Sequence, residues 1–201
     1  MEAMDKASSR PGHAVIDDSR ILLRDVEWST YLKLRDAPED RHLRMTYLQG
    51  ELEIMSPGRQ HAVSSTMIGR LLELFCLERE IPLYGYGDET YREEALERGL
   101  EPDECYARGV DKPRPDVAIE VIVSSPLLDK LEVYRGLEIS EVWVFQASRF
   151  TVHRLRGDRY VTMSSSEVFP EVDLSRIAHY VTQPDQNAAV VAFRDELRRA
   201  D

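Results

Sequence analysis

Basic charge is what this chain most conspicuously lacks. Its 26 Lys and Arg residues face 37 Asp and Glu, a formal net charge of -11 over 201 residues. Proteins that bind nucleic acid or anionic membranes through their whole surface carry the opposite balance, so any phosphate-binding site here must be a local patch or rely on metal ions. Cysteine is scarce as well. Cys76 and Cys105 share no metal-ligand or redox spacing, which excludes a disulfide framework and points to free thiols in a cytoplasmic protein. No secretory apolar core and no run long enough to span a bilayer occurs, so a soluble protein is expected. A Gly-x-Ser-x-Gly elbow is missing, and Cys105 has no nearby His, which removes the usual nucleophile arrangements. Gly85 and Gly87 follow no phosphate-loop spacing, and the five histidines form no zinc-type pair.

The stretch from Pro102 to Phe145 carries most of the information. Within it PDVAIEVIV (115–123) is a nearly continuous apolar run bounded by Pro115 and by Ser124, Ser125 and Pro126, which predicts a buried strand. Glu120 lies inside that run, and a carboxylate there is costly unless it has a partner. Leu127, Leu131, Tyr134 and Leu137 then recur at helical spacing, with Ser125 placed as N-cap and Pro126 at the first helical position. A second apolar run, Val142 to Phe145, completes a strand–helix–strand crossover unit.

The rest of the chain supplies the frame. At this length one domain with a sizeable core is expected. The reading is a disordered leader over 1–19, a domain over 20–182 and a C-terminal helix over 183–201 on the surface. Asp25 to Leu34 reads as a short helix, and Leu43 to Ile54 as a hairpin turning at Gln49-Gly50, with Glu51 and Glu53 on its polar face. His61 to Glu80 carries a wide apolar helical face ended by Pro82. Phe150 to Leu155 and Tyr160 to Met163 form a second hairpin.

Four ionisable residues cluster around the crossover unit: Asp103, Asp116, Glu120 and Lys130. Asp116 and Glu120 share a strand face but lie roughly 13 Å apart at ~3.3 Å per residue, too far to bind one small cation. Asp116 therefore reads as a strand-end charge. Asp103 sits on a different segment that can pair beside the Glu120 strand, so Asp103 and Glu120 form the better metal pair. His61, in the first turn of the long helix, is either a site residue or a partly exposed one. Arg108, Lys112 and Arg114 form either a patch for backbone phosphates or a solvated loop.

These residues, taken in order, resemble a known family. Pro102-Asp103, Ala118-Ile119-Glu120-Val121, Lys130-Leu131-Glu132-Val133-Tyr134 and Glu141-Val142-Trp143 look like the Uma-two family of restriction-endonuclease-like proteins, within the PD-(D/E)XK nuclease superfamily. Gly50-Glu51, Met55-Ser56-Pro57 and His61 fit the same pattern, so the resemblance covers about residues 20 to 180. It implies an α/β (α+β) fold, a restriction-endonuclease-like mixed β-sheet flanked by helices and joined by β-hairpins. It also implies an endonuclease that hydrolyses phosphodiester bonds in DNA with Mg²⁺ or Mn²⁺. Asp103 and Glu120 would be the metal ligands, and Lys130 would orient or activate water. The superfamily's usual lysine stands two residues after the Glu, where this chain has Ile122; Lys130 takes its place. The competing expectation is a non-catalytic binding protein or a homodimeric scaffold on the same fold, which the acidic charge favours.

Overall fold

The computed structural model describes residues 17–37 and 42–199. Most of the expected leader (1–16), part of the charged loop before the first hairpin (38–41) and residues 200–201 lie outside them. The leader's last residue, Ser19, already belongs to a strand.

Two sheets share the chain. The first has five antiparallel strands, β1 (Ser19–Leu23), β2 (Arg44–Leu48), β3 (Glu51–Ser56), β5 (Tyr91–Glu93) and β6 (Arg98–Leu100), in the order β1-β3-β2-β6-β5. The second has six, β4 (Leu83–Gly85), β7 (Glu104–Arg108), β8 (Val117–Ile122), β9 (Glu141–Gln146), β10 (Arg149–Arg156) and β11 (Arg159–Met163), in the order β11-β10-β9-β8-β7-β4. Only β8 and β9 run parallel; the helix α3 (Lys130–Gly136) joins them, as the crossover pattern predicts. The fold is thus the expected mixed α+β arrangement with hairpins. The β2–β3 hairpin turns at Gln49-Gly50, both at positive φ (48° and 89°), the combination that a two-residue turn matching strand twist requires.

After the short helix α1 (Trp28–Arg35), the long helix α2 (Arg59–Glu78) packs its apolar stripe, Met67, Ile68, Leu71, Leu72 and Phe75, on one face of the second sheet against Val117, Ile119 and Val121. Each fully buried side chain of this kind contributes roughly 1.5–3 kcal/mol. The helix ends before Pro82: Ile81 N–H bonds back to Cys76 O and Glu80 turns left-handed at φ 53°, a glycine-type stop made by a glutamate. Two further helices, α4 (Leu174–Val181) and α5 (Gln186–Arg199), cover the same face. Here the expectation fails, because α5 is no surface appendage: Ala189, Phe193 and Leu197 are buried in the main core. The sheet's other face carries α3, whose Val133 and Tyr134 meet Cys105, Ala118 and Val142. Alternation along β8 therefore sends Ile119 and Val121 toward α2 and Ala118 and Glu120 toward α3.

Helix α3 also starts later than expected. Asp129, not Ser125, is its N-cap, accepting from Glu132 N–H at 3.2 Å, so Lys130 is the first helical residue. The backbone N–H groups of Leu127 and Leu128 are instead taken by the Glu53 carboxylate, which holds the segment out of helical form. Glu53 is correspondingly 1 % exposed, against the polar-face reading of β3.

Candidate active site

The site grows out of the end of β8. Asp103 stands one residue before β7, whose antiparallel pairing with β8 begins at Glu104↔Ile119. Asp103 N–H donates at 3.1 Å to the carbonyl of Ile119, the residue already paired with Glu104, so residues 103 and 104 both face Ile119 and the ladder bulges at Asp103. The Asp103 carboxylate accepts Val121 N–H at 2.7 Å on one oxygen and faces His61 Nε2 at 2.8 Å with the other. His61, in the first turn of α2, is buried rather than partly exposed, and its Nδ1 meets Asp18 at 3.2 Å.

Glu120 is 2 % exposed and has the partners its burial demands. Lys130 Nζ reaches its Oε2 at 2.6 Å from the first turn of α3, and Tyr134, one turn on, donates its hydroxyl to Oε1. Spacing of four on a helix puts 130 and 134 on one face, so one element supplies both. Tyr134 was legible only as a core residue of α3; its hydroxyl's role becomes visible once the helix is docked.

The electrostatics follow from that packing. Burial works against ionising Asp103, but the His61 hydrogen bond and charge, Lys130 and the Val121 amide hold its pKa below the usual carboxylate range. Burial pushes Glu120 upward, and the Asp103 charge adds to this, while Lys130 and Tyr134 pull it back. For Lys130, burial disfavours the ammonium, yet Glu120 and Asp103 outweigh it and raise the pKa, so the amine stays charged.

Several other polar groups have purely structural partners. Asp116 accepts Arg108 N–H at 2.9 Å and Lys112 Nζ at 2.5 Å, as its strand-end reading implies. Arg108 is paired with Glu171, and Arg114 with Glu138, Glu93 and Leu137 O. Arg108, Lys112 and Arg114 stand at or beyond the end of β7 that is farther from Asp103. Asp103 lies before its first residue and Arg108 is its last, so about five residues at ~3.3 Å each separate them along the strand. Buried Glu141 likewise serves packing, accepting from Trp143 Nε1, Ser166 Oγ and two backbone N–H groups.

Glu120, Lys130 and Tyr134 open into a cavity of about 310 Å³ also lined by Ile122, Leu128 and Gln146. Asp103 and His61 line a separate hollow of about 270 Å³, and three larger ones, about 670, 600 and 410 Å³, lie toward α4 and contain none of Asp103, Glu120 and Lys130. Among the described residues no three His, Cys, Asp or Glu side chains are grouped to hold a metal ion. Two carboxylates suffice for Mg²⁺, which takes one or two from the protein and fills its shell with water and phosphate. Each oxygen of Asp103 and Glu120 accepts one hydrogen bond and retains a second lone pair, so the donor chemistry fits a hard divalent cation.

The fold is α+β, and on its parallel strand pair the buried Glu120 is bound by Lys130 and Tyr134 of α3. Residues 28–182 match the model of the Uma2 family, described as "Putative restriction endonuclease", and the chain belongs to that family. No curated protein matches the chain. No helix among the described residues is long and apolar enough to cross a membrane.

Proposed function

We propose that the protein is a divalent-metal-dependent endonuclease acting on DNA, with Asp103, Glu120 and Lys130 as its reacting centre. The observation that carries this reading is the buried contact between Glu120 and Lys130, with Asp103 held on the adjoining segment by Ile119 O and Val121 N–H, the residues that flank Glu120. Family membership points the same way.

Asp103 and Glu120 would hold Mg²⁺ or Mn²⁺, which lowers the pKa of water and offsets negative charge on a phosphate. The remaining steps belong to the chain. His61 and the Val121 amide fix the Asp103 carboxylate and keep it ionised. Tyr134 fixes Glu120 in rotation. Lys130 presents a charged amine at the cavity mouth, able to donate to a phosphate oxygen or to an attacking hydroxide. With the basic loop paired elsewhere, the cation and Lys130 provide the local positive charge that a net negative surface otherwise lacks.

A binding or scaffold role, as a homodimer on the same fold, is the second reading. It draws on the net charge of -11 and on the engagement of Arg108, Lys112 and Arg114 by acidic partners. Incubating the purified protein with supercoiled and linear DNA, with Mg²⁺, Mn²⁺ or a chelator, separates the two. Nicking or cutting only in the presence of the metals is expected; inactivity over a broad substrate panel would favour the scaffold.

A further inference from the structure

The family match begins at residue 28, yet Asp18, just before β1, and Arg20, within it, reach residues around the site. Arg20 is the hub. Its Nε donates to Ser124 Oγ at 3.1 Å, Nη1 to Glu53 Oε1 at 2.5 Å, and Nη2 to Asp18 Oδ2 at 3.2 Å. Through Asp18 it connects to His61 and hence to Asp103. Through Glu53 it connects to the backbone that leads to Lys130: Glu53 Oε2 accepts Leu127 N–H and, at 3.2 Å, Leu128 N–H. Ser124 lies two residues after β8 ends, and Leu128 two residues before α3 begins. Arg20 and Glu53 therefore grip both ends of the link between the strand that carries Glu120 and the helix that carries Lys130.

Apart from the buried side chain of Leu128, such a link has little to hold it otherwise. It has no regular structure, and Leu127 is 49 % exposed. An ungripped segment of this kind would sample many backbone states and blur the position of the amine that follows it. Glu53, by contrast, is buried and charge-paired, and the guanidinium fork fixes three partners in one plane. A buried carboxylate that accepts two backbone amides and one guanidinium is an expensive arrangement whose visible product is the conformation of this link.

We propose that Arg20 and Glu53 are positioning residues, holding residues 124–128 so that the Lys130 amine meets Glu120. The catalytic part of this inference rests on the nuclease reading; the structural part does not.

Glu53→Gln tests it with minimal change of shape. A carboxamide offers one acceptor oxygen, so its NH₂ must face either Arg20 or the Leu127 and Leu128 amides, and the grip loosens. Because this leaves Arg20 without its charge partner, the double variant R20M/E53Q, which removes both charges, is measured beside it. Lys130 acylation by a small amine-reactive reagent is read by mass spectrometry relative to the exposed Lys33, and backbone protection at Leu127 and Leu128 by hydrogen exchange. In the native protein Lys130 is shielded, with 11 % of its side chain exposed. Both variants, folded by circular dichroism, are expected to raise the Lys130-to-Lys33 labelling ratio and to lose protection at Leu127 and Leu128 by about tenfold each, the size of a lost charge-assisted hydrogen bond. On DNA, kcat should fall by a similar factor with KM nearly unchanged, and Glu53→Asp should recover part of it. Unaltered labelling and protection in both folded variants would overturn the proposal. A wild type without nuclease activity would sink the functional reading alone, because labelling and exchange still report the grip.

Discussion

Lys130 Nζ and Glu120 Oε2 lie 2.6 Å apart, although ten residues and a change from strand to helix separate them. Glu120 sits where a buried strand would ordinarily carry an aliphatic residue, and α3 begins at the residue that neutralises it. The pair thus answers the question raised by a carboxylate in an apolar run.

Removing the amine gives the first prediction. Lys130→Ala should lower DNA cleavage by about 10²–10³, the usual cost of losing one group that stabilises developing charge. Mg²⁺ affinity measured by calorimetry should persist or rise, since both carboxylates remain and a competing cation leaves. A parallel collapse of metal binding would show that Lys130 shapes the metal site rather than the reaction.

Stability should fall as pH rises from about 5 to about 8, through two groups. Burial works against charging His61, but Asp103 and Asp18 outweigh it and raise its pKa above 6.5. Its stabilisation is therefore fully present below the unfolded value and lost as pH climbs through the folded one. Burial, with Glu73 and Asp103 nearby, pushes Glu104 up to about 7 despite its hydrogen bond from Tyr106. Between its ordinary 4.5 and about 7 the folded state binds the extra proton, so ionisation costs stability over that window. Glu104→Gln should recover about 1–2 kcal/mol at pH ~8 and nothing at pH ~4, allowing for partial solvent screening. Asp103 acts oppositely: its depressed pKa contributes stability above about 3.9, lost as pH falls through the folded value. Urea midpoints from pH ~2 to pH ~9 check all three signs.

Arg108, Lys112 and Arg114 give a negative prediction. Each has an acidic partner, and β7 carries the loop away from Glu120. Replacing Lys112 and Arg114 by Ala should leave the salt dependence of DNA binding unchanged, whereas each lost phosphate contact would reduce the slope by about one. A shallower slope would restore the loop as a DNA contact.

These results also mark what the sequence could and could not convey. The crossover of β8, α3 and β9 was legible because a β-branched run, a helical apolar period and a second apolar run follow one another directly. That Glu120 needs a partner was legible from the apolar run around it, the family resemblance singled out Lys130, and Asp116 was set aside by strand geometry alone. Glu53 was misread because alternation in a hairpin normally marks the solvent side; its burial depends on β1 and on the link before α3, contacts more than thirty residues away. The start of α3 was misplaced for the same reason, since Glu53 takes the amides that a helix beginning at Pro126 would have used. Asp18 lay within the stretch read as a leader, and only the placement of β1 beside β3 brings it to His61. The basic loop was read as a patch or as solvated; its acidic partners, which lie up to 63 residues away in the chain, were not legible in the sequence.

The most direct test of the central claim is the anomalous scattering of crystals soaked in Mn²⁺. The account predicts one strong peak bridging the Asp103 and Glu120 carboxylates beside Lys130, absent in Asp103→Asn and Glu120→Gln crystals of the same form. A Mn²⁺ peak elsewhere on the molecule, or none between these carboxylates at saturating metal, would contradict it.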